Sequence, residues 1–245
     1  MKTDWDYSDR AHSYDNRADY SAEALRLLFD KLACSPEIPV ADIGAGTGKL
    51  TKELVKEGFS VFAVEPNKNM RMYGIENTKN GNVSWSEGVG ENTLLPENKF
   101  QACFFGSSFN VVDQGKTLDE VNRILKSKGW FVCMWNHRDT SDPTQKMIEK
   151  IITDHIDGYN YGTRRQDPSH LINKPGYFRK VEKIEVKFNV NMSKRQIVDA
   201  WKSHDTLFRQ ADGNFANIIS EIAMKLDKSS YIVPYFTRIW FAQKN

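Results

Sequence analysis

Asp42, Gly44, Gly46 and Gly48 stand in the run Ala41-Asp42-Ile43-Gly44-Ala45-Gly46-Thr47-Gly48, at the end of a short apolar stretch. Glycine carries no Cβ, so such a loop lets a ligand lie against bare backbone. A phosphate-cradling P-loop needs Gly, four residues, then Gly-Lys and Ser or Thr. Here Ile43 fills the first glycine position and Leu50 follows Lys49. A dinucleotide fingerprint needs a small third residue for close helix–strand packing, and that position holds Lys49, so a nicotinamide cofactor is the weaker reading. Asp42 would also repel a pyrophosphate, whereas a carboxylate favours a positive charge within a few ångströms. The loop therefore points to a cationic ligand without phosphates. S-adenosylmethionine (SAM), with its ammonium and sulfonium, is such a ligand. Glu65 follows about 20 residues beyond the glycines, at a strand end where an acid accepts hydrogen bonds from ribose hydroxyls.

The elements that must hold these residues follow from periodicity. Ser21 is placed to cap a helix through Leu25, Leu28, Phe29 and Leu32. Pro36 and Pro39 break it, and residues 40–43 read as a buried strand. After the glycine loop, a helix with Leu50, Leu54 and Val55 ends at Gly58. Strands are predicted at 60–64, 82–86, 100–105 and 130–135, with helices at 67–77 and 113–126 between them. In the second half, 147–161, 194–201 and 216–226 read as helices and 179–190 and 231–242 as strands, Pro234 suggesting an edge or a bulge. This alternation predicts an α/β fold: a Rossmann-like, doubly wound, mostly parallel seven-stranded sheet with a helical lid inserted in the C-terminal half. One domain, 1–245, is expected, with a cap segment and helix in 1–35, the ligand-binding core in 36–140, and lid helices and final strands in 141–245. The loops after Ile43, Val64, Ser86, Phe105 and Trp135 should converge on one site, as they do beyond the carboxyl ends of such strands.

The segment 41–48 resembles motif I of the class I SAM-dependent methyltransferases. Val64-Glu65-Pro66-Asn67 with Met70 is similar to their second motif, and Gly90-Glu91 before Leu95-Pro96 to the segment that holds adenine. Val121–Leu125 with Lys126, Gly129 and Trp130 resembles the family's turn into the fifth strand, Ser127 and Lys128 replacing its Pro-Gly. Trp135-Asn136-His137-Arg138 resembles the end of that strand in a bacterial subgroup, and Tyr14, Arg17 and Tyr20 match the positions with which that subgroup closes over SAM. The resemblance spans roughly residues 10–140 well and the rest loosely. It implies that SAM is bound by Tyr14, Arg17, Tyr20, Asp42, Gly44, Ala45, Gly46, Glu65, Pro66, Met70, Gly90, Glu91 and Ser107, and is released as S-adenosylhomocysteine (SAH). An arginine at 17 suits bidentate pairing with the methionine carboxylate.

Methyl transfer from a sulfonium is an in-line displacement on an activated donor, so the enzyme chiefly positions the acceptor and excludes water. A base is needed only where the acceptor carries a proton, as an alcohol does. His137 is the first candidate and His204 the second, ahead of His12, His155 and His170. The loop Gly106-Ser107-Ser108-Phe109-Asn110 lacks the Asn/Asp-Pro-Pro-Tyr grip for amide or adenine nitrogen, which disfavours nucleobase and glutamine methylation. Trp135, Asn136, Arg138, Trp201 and His204 are expected to bind the acceptor, with Ser203 beside them. Arg138 and the Arg164-Arg165 pair would suit a carboxylate or phosphate. The reading is transfer to oxygen or nitrogen of a small, polar or anionic metabolite. The rivals are an RNA- or tRNA-modifying methyltransferase and a SAM-binding protein without transferase activity.

Bulk properties agree with that choice. The 245 residues are 40% hydrophobic and 27% charged with a net charge of +2, ordinary for a folded domain and without the strongly basic balance of a nucleic-acid binder. No run approaches the roughly 18 apolar residues of a membrane helix, and the start is not a signal peptide. Cys34, Cys103 and Cys133 have no metal-ligand spacing and read as reduced core thiols in a cytoplasmic setting. No metal site is expected.

Overall fold

The structure, a computed structural model, describes residues 18–245. Its seven strands form one sheet in the order β3-β2-β1-β4-β5-β7-β6: β1 Val40–Ile43, β2 Val61–Val64, β3 Val83–Ser86, β4 Phe100–Gly106, β5 Leu125–Arg138, β6 Glu182–Ser193 and β7 Ser230–Gln243. β1 to β5 run parallel, and β7 lies antiparallel between β5 and β6. The doubly wound α/β sheet expected from the sequence is the one observed.

The parallel strands are apolar on both faces because helices cover both. On one side α1 (Ala22–Leu32) and α2 (Lys49–Lys56) bury Leu25, Leu28, Leu50 and Leu54 against Phe104, Val132 and Phe241. On the other, α4 (Gln114–Ile124) buries Leu118, Val121 and Ile124 against Phe105 and Phe131. α3 (Lys68–Asn77) joins β2 to β3. Strand order reverses between β1 and β4, so the loops after those strands splay apart there and leave a crevice.

The helices after β5 share a core of their own. Ile148 and Ile152 of α5 (Pro143–His155), Ile197 and Trp201 of α7 (Lys194–Lys202), and Ile218 and Ile222 of α9 (Phe215–Lys225) pack together against Val233 and Tyr235 of β7. Two short helices, α6 (Ser169–Asn173) and α8 (Asp205–Gln210), complete the set.

Several boundaries differ from the sequence reading. The helix predicted to run to Lys126 stops at Ile124, because Leu125 already pairs with Phe100 in the sheet. The helix predicted at 147–161 spans Pro143–His155, with Asp142 as a side-chain cap and Pro143 in the first turn, where its missing N–H costs nothing. The strand predicted at 179–190 is shifted to 182–193. β7 is an interior strand, but Pro234 falls one residue beyond its last partner on β5, Tyr235 opposite Arg138. Proline therefore sits where β5 no longer needs a donor.

Candidate functional site

The carboxyl ends of β1, β4 and β5 open on one cleft, whose empty space including its mouth is about 1170 Å³. At the β1 end, Gly44, Ala45 and Gly46 form the floor. The turn is held by the Gly44 and Ala45 amides, which donate to the Val64 carbonyl at 2.8 and 3.1 Å. Gly44 has φ +69°, and a Cβ there would lie 2.5 Å from Ser108 Cβ. Ser108 is itself fixed by donating to the Ile43 carbonyl at 2.6 Å. Glycine is thus required twice at this position, by conformation and by space.

Asp42 supplies a carboxyl group at the β1 end of the cleft. It is fully buried, Oδ2 accepts from Thr51 Oγ1 at 2.6 Å, and Oδ1 has no partner among the described residues. Burial pushes its carboxyl up to about 7, the Thr51 hydrogen bond opposing. An anionic oxygen left bare on a ligand cleft fits a cationic ligand. Glu65 lies behind the loop. Its Oε2 accepts from the Gly46 amide at 2.9 Å and its Oε1 from the Asn67 amide at 2.8 Å. Burial raises its pKa against those two bonds. Each carboxylate oxygen retains a second lone pair for a hydroxyl. The residues present therefore fit SAM: bare backbone at 44–46, an unpaired carboxylate oxygen at Asp42, and an acid held at the end of β2.

Other predicted cofactor residues are spread around this floor. Met70 is buried, its methyl 3.4 Å from where a Gly46 Cβ would stand, and Pro66 follows Glu65. Tyr20 lines the cleft and its hydroxyl lies 3.1 Å from Ser107 Oγ. Ser107 adopts φ +64° where the chain turns off β4. Gly90 is buried against Thr117 and Val112, and Glu91 accepts from the Asp113 amide at 2.5 Å, at the start of α4. Glu65, Pro66, Met70, Gly90 and Glu91 do not line the cleft itself. Tyr14 and Arg17 lie outside the described residues.

The acceptor candidates divide. Asn136, His137, Arg138, Trp201 and His204 line the cleft, and Trp135 does not. Trp135 points into the core, packs edge-on to Trp240 at 5.6 Å and donates from Nε1 to Asn110 at 2.9 Å. Ser203 is buried and donates to the Ala200 carbonyl. Asn136 holds backbone: Nδ2 donates to the Ala18 and Asp19 carbonyls at 3.0 and 2.8 Å, and Oδ1 accepts from Thr237 Oγ1 at 2.6 Å. His137 Nε2 lies 2.9 Å from the Arg164 carbonyl. A carbonyl only accepts, so Nε2 carries the proton and Nδ1 is an acceptor without a partner among the described residues. Burial, then the Arg164 charge, lowers its pKa to about 3, so the ring is neutral at physiological pH.

Sequence reasoning missed Gln145, Glu149, Tyr161 and Tyr235, which also line the cleft. Gln145 and Glu149 lie one turn apart on α5, a spacing that shares a helix face. Tyr235 arrives only through the antiparallel pairing with Arg138, which no local pattern announces.

Residues 41–133 match the family model described as a methyltransferase domain. An uncharacterized methyltransferase of Mycobacterium bovis is 32% identical over 123 residues, 50% of this chain and 48% of that protein. A ubiquinone/menaquinone biosynthesis C-methyltransferase of Caulobacter vibrioides is 26% identical over 57% of this chain and 62% of its own length. The chain thus spans about half the length of the first of these relatives. Among solved structures, the YcgJ protein of Bacillus subtilis superposes with a TM-score of 0.58 at 16% identity, over 92% of this chain and 100% of that one. Phosphoethanolamine N-methyltransferase 2 of Haemonchus contortus, solved with phosphomonomethylethanolamine and SAH, superposes at 0.57 and 16% identity, over 97% of this chain and 57% of that one. At these identities the likeness is one of fold.

Proposed function

We infer that this chain is a class I SAM-dependent methyltransferase and transfers the methyl group of SAM, its cofactor, to oxygen or nitrogen of a small polar or anionic metabolite. The observation that carries this reading is that Asp42, whose Oδ1 has no partner among the described residues, lines one cleft with Arg138, Arg164 and Arg165. When bound, SAM supplies an electrophilic methyl group on a sulfonium. Asp42 and the 44–46 backbone would hold its charged end, and Glu65, which accepts from the Gly46 amide at 2.9 Å, would fix that backbone from behind. The helices after β5 act as the lid that excludes water and presents the acceptor.

His137 is our candidate for the acceptor's proton. With Nε2 committed to the Arg164 carbonyl, Nδ1 is the atom that receives a hydrogen bond from an alcohol or protonated amine. Its low basicity confines proton transfer to the moment when the acceptor atom becomes acidic as it is methylated. An acceptor that is already deprotonated needs no such step.

Incubating the protein with methyl-labelled SAM and fractionated small-molecule extract tests the reading. The expected result is labelled product and SAH in equal amounts. SAM binding without turnover on any fraction, or labelling of RNA alone, would contradict it.

A further inference from the structure

Three hydrogen-bond donors of the cleft remain once cofactor binding and the candidate base are assigned. Arg138 stacks its guanidinium 4.4 Å over the Trp201 ring and lies 5.8 Å from the Tyr235 ring. Among the described residues no carboxylate pairs with it, and Glu149, the acid at that end, is held by Arg165 at 3.3 Å. Trp201 is 3% exposed and its Nε1–H meets no acceptor among the described residues. Gln145 is 2% exposed and its Nε2 likewise has no partner among the described residues. All three residues line the same cleft as Asp42.

Buried donors without acceptors are costly, and native structures rarely leave several at one place. Stacking occupies the face of the Arg138 fork and leaves its in-plane N–H edge for a planar or tetrahedral oxyanion. The cleft is therefore polarised: a bare carboxylate oxygen at the glycine loop, suited to a cation, and bare donors at the lid end, suited to an anion.

We propose that Arg138, Trp201 and Gln145 form an oxyanion subsite that anchors a carboxylate or phosphate group of the acceptor, and that this group is not the atom methylated. The inference rests on the reading of the cleft as a methyl-transfer site. Its second half follows from chemistry: an oxygen pairing with a guanidinium gives up electron density and is a poor nucleophile. The metabolite thus carries its anion unchanged through the reaction, and Arg138 sets specificity.

The test uses the full chain with SAH and three probes of one shape: benzoate, benzamide and phenyl phosphate, followed by ligand-observed NMR. Benzoate is expected to bind the SAH complex and neutral benzamide to bind at least about tenfold more weakly, a difference of roughly 1.4 kcal/mol. Arg138→Gln should abolish that preference while leaving SAH affinity unchanged. Gln145→Leu and Trp201→Phe, which remove one donor each, should weaken benzoate severalfold and decide the matter if Arg138→Gln does not fold. Phenyl phosphate binding above benzoate assigns the anion as a phosphate. Equal binding of benzoate and benzamide, no binding of any probe, or unaltered benzoate binding in the folded variants would overturn the subsite. Selective benzoate binding by a protein that does not bind SAH would sink the methyl-transfer reading and leave the oxyanion subsite standing.

Discussion

Thr51 donates a 2.6 Å hydrogen bond to one carboxylate oxygen of Asp42, a residue that lines the cleft, and leaves the other buried with no partner among the described residues. The two residues sit at the end of β1 and on the first turn of α2, so the glycine loop between them fixes their distance. A buried acid with one oxygen satisfied is held in place yet remains electrostatically unfinished, and a cation is what completes it.

That state makes cofactor affinity depend on pH. Burial lifts the Asp42 carboxyl to about 7 from 3.8. Between those values the folded protein holds a proton that the unfolded chain has lost, so Asp42's contribution to stability falls as pH rises through that window. A cation bound beside it favours the anion, so the protein's part in binding SAM should strengthen about tenfold from pH 6 to 8 and then level off. Titrations across that range check this, and Asp42→Asn should remove the rise. His137 has the opposite sign: its folded pKa of about 3 lies below the ordinary 6.5, so its contribution is present above about 6.5 and is lost as pH falls toward 3. Unfolding of His137→Phe at pH 4–7 should show a flatter acid limb than wild type.

Asn136 should act as a clamp on the segment that reaches the cleft. It ties Ala18 and Asp19 to the end of β5, and its partner Thr237 accepts from the Ser21 amide at 2.9 Å. Asn136→Ala leaves these groups unsatisfied, a loss of about 1–3 kcal/mol. Hydrogen exchange at Ser21 should accelerate and SAH affinity fall severalfold, because Tyr20 is the next residue. Thr237→Val should behave alike, and the double variant should be less than additive.

Gly44→Ala should be rescued by a change elsewhere. The added Cβ meets Ser108 Cβ at 2.5 Å, and the φ of +69° adds strain of about 1–2 kcal/mol. The single variant should lose SAH binding. Gly44→Ala with Ser108→Gly relieves the clash but not the strain, so calorimetry should show binding restored in part.

Lys128 occupies φ +60° in the irregular first part of β5, between the paired residues Leu125 and Trp130, where the resembling family's pattern has glycine. Lys128→Gly should raise stability by about 1 kcal/mol, measured as an increase in Tm with unchanged SAH affinity.

The floor of the site was legible in the sequence because its determinants are local. Asp42, Gly44 and Gly46 announce a turn that must approach a ligand, and Glu65 a strand end set by the preceding apolar run. The parallel sheet followed from alternating periods of 2 and 3.6. The acceptor end was only half legible. Arg138 and Trp201 stood out by type, but their stacking depends on α7 folding back over β5, and Gln145 looked like any polar residue of an amphipathic helix. Trp135 misled because strand alternation sends it into the core, on the opposite face from Asn136. Leu125 was read as helix because its apolar spacing continues the helical face, while its pairing with Phe100 is a long-range fact.

The most direct test of the account is calorimetric titration of SAH at pH 8 into wild type, Asp42→Asn and Glu65→Ala. Wild type is expected to bind with micromolar affinity. Asp42→Asn should fold, be at least as stable as wild type because it no longer buries an anion, and bind at least about tenfold more weakly; Glu65→Ala should weaken binding similarly. A folded wild type that does not bind SAH, or an Asp42→Asn variant that binds as tightly as wild type, would contradict the assignment of the cleft.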